Sequence, residues 1–141
     1  MKKIYTLGTG RRSEEDFYEI LFAYDIKTLV DVRSFPKSKM PVFTRENLEN
    51  LLKKEGINYV FLGRELGGFR KGGYEVYTGT EEFKKGIDRL EDIASSGTTV
   101  IICAERFPWK CHRRWISREF HRRGWHVEHI IDKGKVWAPK G

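Results

Sequence analysis

Glutamine is absent from this 141-residue chain, asparagine occurs three times, and cysteine and methionine only twice each. Two cysteines, Cys103 and Cys111, are too few for the disulfide framework of a small secreted domain. Scarce amides beside abundant Lys, Arg and Glu match the composition of heat-adapted proteins, whose cytosols tolerate disulfides. No run approaches the roughly 18 apolar residues of a membrane helix, and Met-Lys-Lys-Ile-Tyr-Thr at the start has no signal-peptide core. Repeats, low-complexity tracts and Ser- or Pro-rich linkers are also missing. A hydrophobic content of 39% with 13% aromatics excludes intrinsic disorder. The expectation is one soluble, cytoplasmic domain over 1–141 with no membrane partner.

Positive charge is present and unevenly spread. Residues 1–105 hold 17 basic and 17 acidic side chains, while 106–141 hold 10 basic and 3 acidic, so the whole net charge of +7 lies in the last quarter. All four histidines (His112, His121, His126 and His129) are there too. A local excess of this kind points to an anionic partner, a nucleotide or a nucleic acid. The alternative is a solvated helix face.

The chain reads as strand alternating with helix. Lys3–Leu7, Thr28–Val32, Ile57–Leu62, Thr98–Cys103 and Trp125–Ile131 are short apolar or β-branched runs. Ser13, Thr44 and Thr80 are placed to cap three intervening helices, and Pro108 suits the first turn of a fourth. Apolar residues at helical spacing follow, as in Phe17, Ile20, Leu21 and Tyr24. This predicts an α/β fold: a three-layer, Rossmann-like, mostly parallel five-stranded sheet with helices on both faces. Ligands of such sheets bind beyond the carboxyl ends of the strands, which singles out four loops.

After the first strand, Gly8-Thr9-Gly10-Arg11 precedes a helix start, a geometry that suits an anion; a tight turn without ligand is the alternative. After the second, Asp31 and Arg33 share one side of the strand end. They read either as a structural ion pair or as a general base beside an anion clamp. After the third comes Leu62–Gly79, 18 residues with six glycines and no obvious element. Its Arg64, Phe69, Arg70, Lys71, Tyr74 and Tyr77 would suit base stacking and phosphate contact.

After the fourth strand stands the densest chemistry, Cys103-Ala104-Glu105 followed by Cys111-His112-Arg113-Arg114. Cys111 lies near a helix start amid cations, a setting that favours the thiolate. No Arg stands six residues after either cysteine, as a phosphatase or rhodanese loop requires, and no Cys-x-x-Cys pair occurs. Cys103, Cys111 and His112 offer three zinc ligands at a spacing that fits no standard site, so neither metal nor cofactor is expected. A Cys103–Cys111 disulfide is the other reading of the pair. Further on, Arg114, Arg118 and Arg122 form one stripe at i, i+4, i+8.

Thr6-Leu7-Gly8, Asp31-Val32-Arg33-Ser34-x-Pro36, Glu65-Leu66-Gly67-Gly68 and Cys103-Ala104-Glu105 with Cys111-His112-Arg113-Arg114 resemble, in this order, the family called domain of unknown function 488. The resemblance implies a compact α/β domain with these polar motifs at one site, and supplies no reaction. The chain departs from it in the first loop, where Thr9 and Gly10 stand at positions commonly His and Ser.

The site expected from this reading has Asp31, Glu105 and Cys111 as catalytic groups. Gly8, Thr9, Arg11, Arg33, Ser34, Gly67, Gly68, Cys103, His112, Arg113 and Arg114 would surround an anionic, phosphate-bearing ligand. Hydrolysis or group transfer on a nucleotide or nucleic acid, non-catalytic nucleic-acid binding, and a thiol redox or protein-interaction role all remain open.

Overall fold

The computed structural model describes residues 2–10, 12–35, 41–105 and 107–138. Its strands are β1 (Lys3–Gly8), β2 (Thr28–Asp31), β3 (Asn58–Phe61), β4 (Thr99–Cys103), β5 (His126–Asp132) and β6 (Lys135–Trp137). Its helices are α1 (Glu14–Ala23), α2 (Arg45–Lys54), α3 (Gly63–Leu66), α4 (Tyr74–Tyr77), α5 (Glu81–Ser96) and α6 (Arg113–Arg122). Short 3-10 turns cover Pro41–Phe43 and Pro108–Lys110.

The strands form one sheet in the order β3-β2-β4-β1-β5-β6. The first five are parallel, and β6 runs antiparallel to β5. The architecture is therefore the expected three-layer, Rossmann-like α/β arrangement, with six strands rather than five. The sixth is a three-residue hairpin arm carrying only two apolar residues, too short to show as a run.

Strand residues alternate between two cores. On one face Phe17, Ile20 and Leu21 of α1, with Leu48 and Leu52 of α2, cover Leu7, Leu29, Val100, Ile102 and Ile130. On the other, Phe83, Ile87 and Leu90 of α5, with Ile116 and Phe120 of α6, cover Ile4, Val30, Ile101 and Val127. Among the described residues no helix is long and apolar enough to cross a membrane.

Two caps act as the sequence suggests. Ser13 accepts from Asp16 N–H at 3.1 Å and Thr80 from Phe83 N–H at 3.2 Å. Thr44 stands at the start of α2, but its hydroxyl donates to Pro41 O at 2.9 Å instead of capping. The fourth long helix begins at Arg113 rather than at Pro108, which opens a separate 3-10 turn. The glycine-rich stretch is also structured. Tyr74 and Tyr77 fold it back by donating to Leu66 O and Glu65 O, which fixes α3 and α4 against each other.

Candidate functional site

A cavity of about 560 Å³ opens at the carboxyl ends of β2 and β4. One wall comes from the loops after β2 and β3: Arg33, Ser34, Phe35, Gly68, Phe69 and Tyr74. The other comes from the loop after β4 and the start of α6: Cys103, Glu105, Trp109, Cys111, His112, Arg114 and Trp115. Phe35 and Phe69 meet at 5.5 Å between ring centroids across the first wall and remain largely exposed. Large exposed rings at a concave site are what a planar ligand stacks on.

Arg33 is buried and turned to its own strand. Its Nε donates to Asp31 Oδ1 at 2.8 Å, its Nη2 to Oδ2 at 2.7 Å, and its Nη1 to Phe43 O at 2.6 Å. Tyr59 donates to the same carboxylate at 2.6 Å, and burial with that neighbouring charge raises its phenol well above the ordinary value. Asp31 is fully buried by these partners and does not line the cavity. Of the alternatives open for this pair, the geometry is that of a structural ion pair.

Gly67 and Gly68 let the loop after β3 approach its neighbours. A Cβ on Gly68 would stand 2.7 Å from His112 Nδ1, and one on Gly67 would run into Ser34 Oγ and Gly63 O. Ser34 Oγ in turn accepts from Phe69 N–H at 3.1 Å, holding that ring at the rim.

His112 is a second anchored polar group of the lining. It lies 2.8 Å through Nε2 from Val32 O. A carbonyl only accepts, so Nε2 carries the proton and Nδ1 is the bare nitrogen. Burial holds the imidazole down to about 4, so it is neutral at pH 7. Nδ1 faces Cys111 Sγ at 3.5 Å. Cys111 and Cys103 are joined as a disulfide, their Cα atoms 7.6 Å apart, wider than in most such bonds.

Arg113 lies beneath the cavity rather than in its wall. Fully buried, it donates to Thr6 Oγ1 at 2.9 Å and to Glu105 O at 2.8 Å. Thr6 Oγ1 sits 2.6 Å from His129 Nδ1 on β5, so one threonine hydroxyl joins three elements. Burial pulls the guanidinium down to about 9, still charged at pH 7, and the same enclosure takes His129 to about 3. Arg114 does reach the cavity. Its guanidinium and that of Arg118 each lie 4.5 Å from the Trp115 ring, and neither has an acidic partner among the described residues.

The first loop is closed off. Thr9 N–H donates to Cys103 O and Gly10 N–H to Ala104 O, each at 2.8 Å, which staples it to the loop after β4. Arg12, the first described residue after Gly10, is buried. It donates to Gly8 O at 2.8 Å and to Ile131 O, and pairs with Asp16 at 3.1 Å and Asp132 at 3.2 Å. The described polar groups of this loop are thus engaged with the protein itself.

Of the expected site residues, Arg33, Ser34, Gly68, Cys103, Glu105, Cys111, His112 and Arg114 line the cavity. Asp31, Gly8, Thr9, Gly67 and Arg113 lie outside its lining, and Arg11 lies outside the described residues, as does Pro36 of the second motif. Phe35, Trp109 and Trp115 were not expected; their signal was three aromatics within or beside the two most polar motifs. Among the described residues no three His, Cys, Asp or Glu side chains are grouped to hold a metal ion.

A family model described as a domain of unknown function, DUF488, matches residues 13–120. That span includes the second, third and fourth motifs and stops short of Thr6-Leu7-Gly8. No curated protein and no solved structure matches the chain.

Proposed function

We propose, from the premise that the chain belongs to the DUF488 family, that it binds a phosphate-bearing ligand with a planar ring in the cavity beyond β2 and β4. A nucleotide, or one nucleotide unit of a nucleic acid, has that chemistry. The observation that carries the reading is the meeting of exposed rings with the Arg114 guanidinium at one opening, with Arg118 against the same Trp115 ring. Phe35, Phe69 and Trp109 offer faces for a base, and Arg114 and Arg118 beside Trp115 offer charge for phosphate. The volume of about 560 Å³ falls in the range of small-ligand sites. Nucleotides and nucleic acids also fit a cytoplasmic setting.

A group-transfer step on this ligand would draw on Glu105, the acidic residue of the lining, and on His112 Nδ1 as a neutral base. Asp31 is held by Arg33 and Tyr59 and is assigned to the scaffold. The test is titration of nucleoside mono-, di- and triphosphates and short single-stranded oligonucleotides, read by tryptophan fluorescence and calorimetry at low salt. Saturable binding that weakens with added salt is expected. Failure of every one of these ligands to bind at low salt overturns the proposal.

A further inference from the structure

We infer that Cys111 and Cys103 are the attacking and resolving thiols of a two-electron couple that reduces small disulfides entering the cavity. The inference stands independently of the ligand reading above.

Position assigns the roles. Cys103 ends β4 and is 1% exposed, with its sulfur 3.6 Å from Glu105 O. Cys111 is half-buried, lines the cavity and lies just before the ten-residue helix α6. A disulfide arriving from solvent therefore meets Cys111 first. Its sulfur accepts from Arg113 N–H, at the first turn of α6, at 3.5 Å. The positive end of a helix and an N–H donor both favour a sulfur anion. Within 3.5 Å stands His112 Nδ1, bare because Nε2–H is given to Val32 O. That nitrogen is an acceptor for the Cys111 S–H, and the Val32 contact fixes the ring that carries it.

The chemistry closes without another reagent. Cys111 loses its proton to solvent at the cavity opening and its thiolate attacks one sulfur of R–S–S–R. The Cys111–S–S–R bond forms, the S–S bond of the small molecule breaks, and RS⁻ leaves and takes a proton. Cys103, deprotonated in its turn, attacks Cys111 Sγ, the Cys103–Cys111 bond forms, and a second RSH departs. The protein loses two electrons and two protons, and the small disulfide gains both. The Cα atoms stand 7.6 Å apart, beyond the usual span of a disulfide, so the second step draws the backbone of the loop that carries Cys111 toward the end of β4.

Oxidised glutathione is a suitable probe. Fully reduced protein should release two equivalents of glutathione and end two hydrogens lighter by intact mass. Cys103→Ser should stop at one glutathione adduct, mapped to Cys111. Limiting iodoacetamide on reduced wild-type protein should label Cys111 at least about tenfold faster than Cys103, since exposure and thiolate character set the rate. This last measurement needs no variant. The inference is overturned if Cys103 is labelled as fast as Cys111, if the reduced protein stays a dithiol, or if it retains the glutathione adduct without closing.

Discussion

Arg33 meets Asp31 edge to edge, Nε on Oδ1 at 2.8 Å and Nη2 on Oδ2 at 2.7 Å, with the carboxylate fully buried at the end of β2. Two parallel N–H···O bonds fix the plane of both groups. Arg33 also reaches Phe43 O, so the pair anchors the 3-10 turn before α2 to the carboxyl edge of the sheet. It supports the cavity from below.

Removal of one partner leaves the other charge buried and uncompensated. Asp31→Ala and Arg33→Met should each cost about 3–5 kcal/mol of stability. Denaturant unfolding of the two single variants and the double variant measures this. The double variant should be less damaged than the sum of the singles, because it strands no charge. Additive losses would remove the ion pair from its scaffold role.

Gly68→Ala places a methyl 2.7 Å from His112 Nδ1, closer than the two can stand. The histidine must move, and about 1–3 kcal/mol of stability should go with it. The same variant should alter the rate of Cys111 alkylation, since His112 Nδ1 faces that sulfur. An unchanged melting temperature and an unchanged alkylation rate together would show that the loop has room to yield.

Two histidines should dominate the acid limb of the stability curve. His129 is held to about 3 and His112 to about 4, in both cases chiefly by burial. An unfolded histidine titrates near 6.5. Between about pH 6.5 and 4 the unfolded chain therefore binds more protons than the folded one. Stability is fully present above 6.5 and falls as the pH drops, by up to about 1.4 kcal/mol per pH unit for each histidine. Denaturant midpoints at pH 7, 5.5 and 4.5 measure the slope, and His129→Gln should roughly halve it.

Trp109→Ala should weaken nucleotide binding by about 1–3 kcal/mol, the usual worth of one stacked base. Arg114→Ala should reduce the salt slope of oligonucleotide binding by about one unit, as for one lost phosphate contact. Calorimetry over a salt series gives both. A Trp109→Ala variant with native affinity would place the ring of the ligand elsewhere.

The strands of the sheet interior were legible because burial on both faces writes a continuous apolar run, as in Val100-Ile101-Ile102. β6 left no such trace. Its residues are exposed and owe their conformation to pairing with β5. α3 and α4 are four residues each and depend on two tyrosine hydroxyls rather than on helical periodicity. At the site, the alternation Asp31-Val32-Arg33 correctly brought acid and base together, and the cysteine motif marked the cavity. The glycines after β1 suggested an anion cradle. Beside them Arg12 is buried, and its position depends on Ile131 O, 119 residues away. Local sequence holds no record of such a partner. The same distance effect hid the buried placement of Arg113, whose partner Thr6 lies 107 residues earlier.

One of the two central strands, β1, precedes the other five in the chain. β1 pairs with β4 and β5 and with nothing else in the sheet, Tyr5 standing opposite Val100 on one side and Glu128 on the other. During synthesis β2 and β3 can zip together while β1 waits, without a strand partner until β4 at Thr99–Cys103 has been made. Synthesis of β4 and β5 is thus the event that lets the sheet close, and a nascent chain halted before β4 would be a client for chaperones.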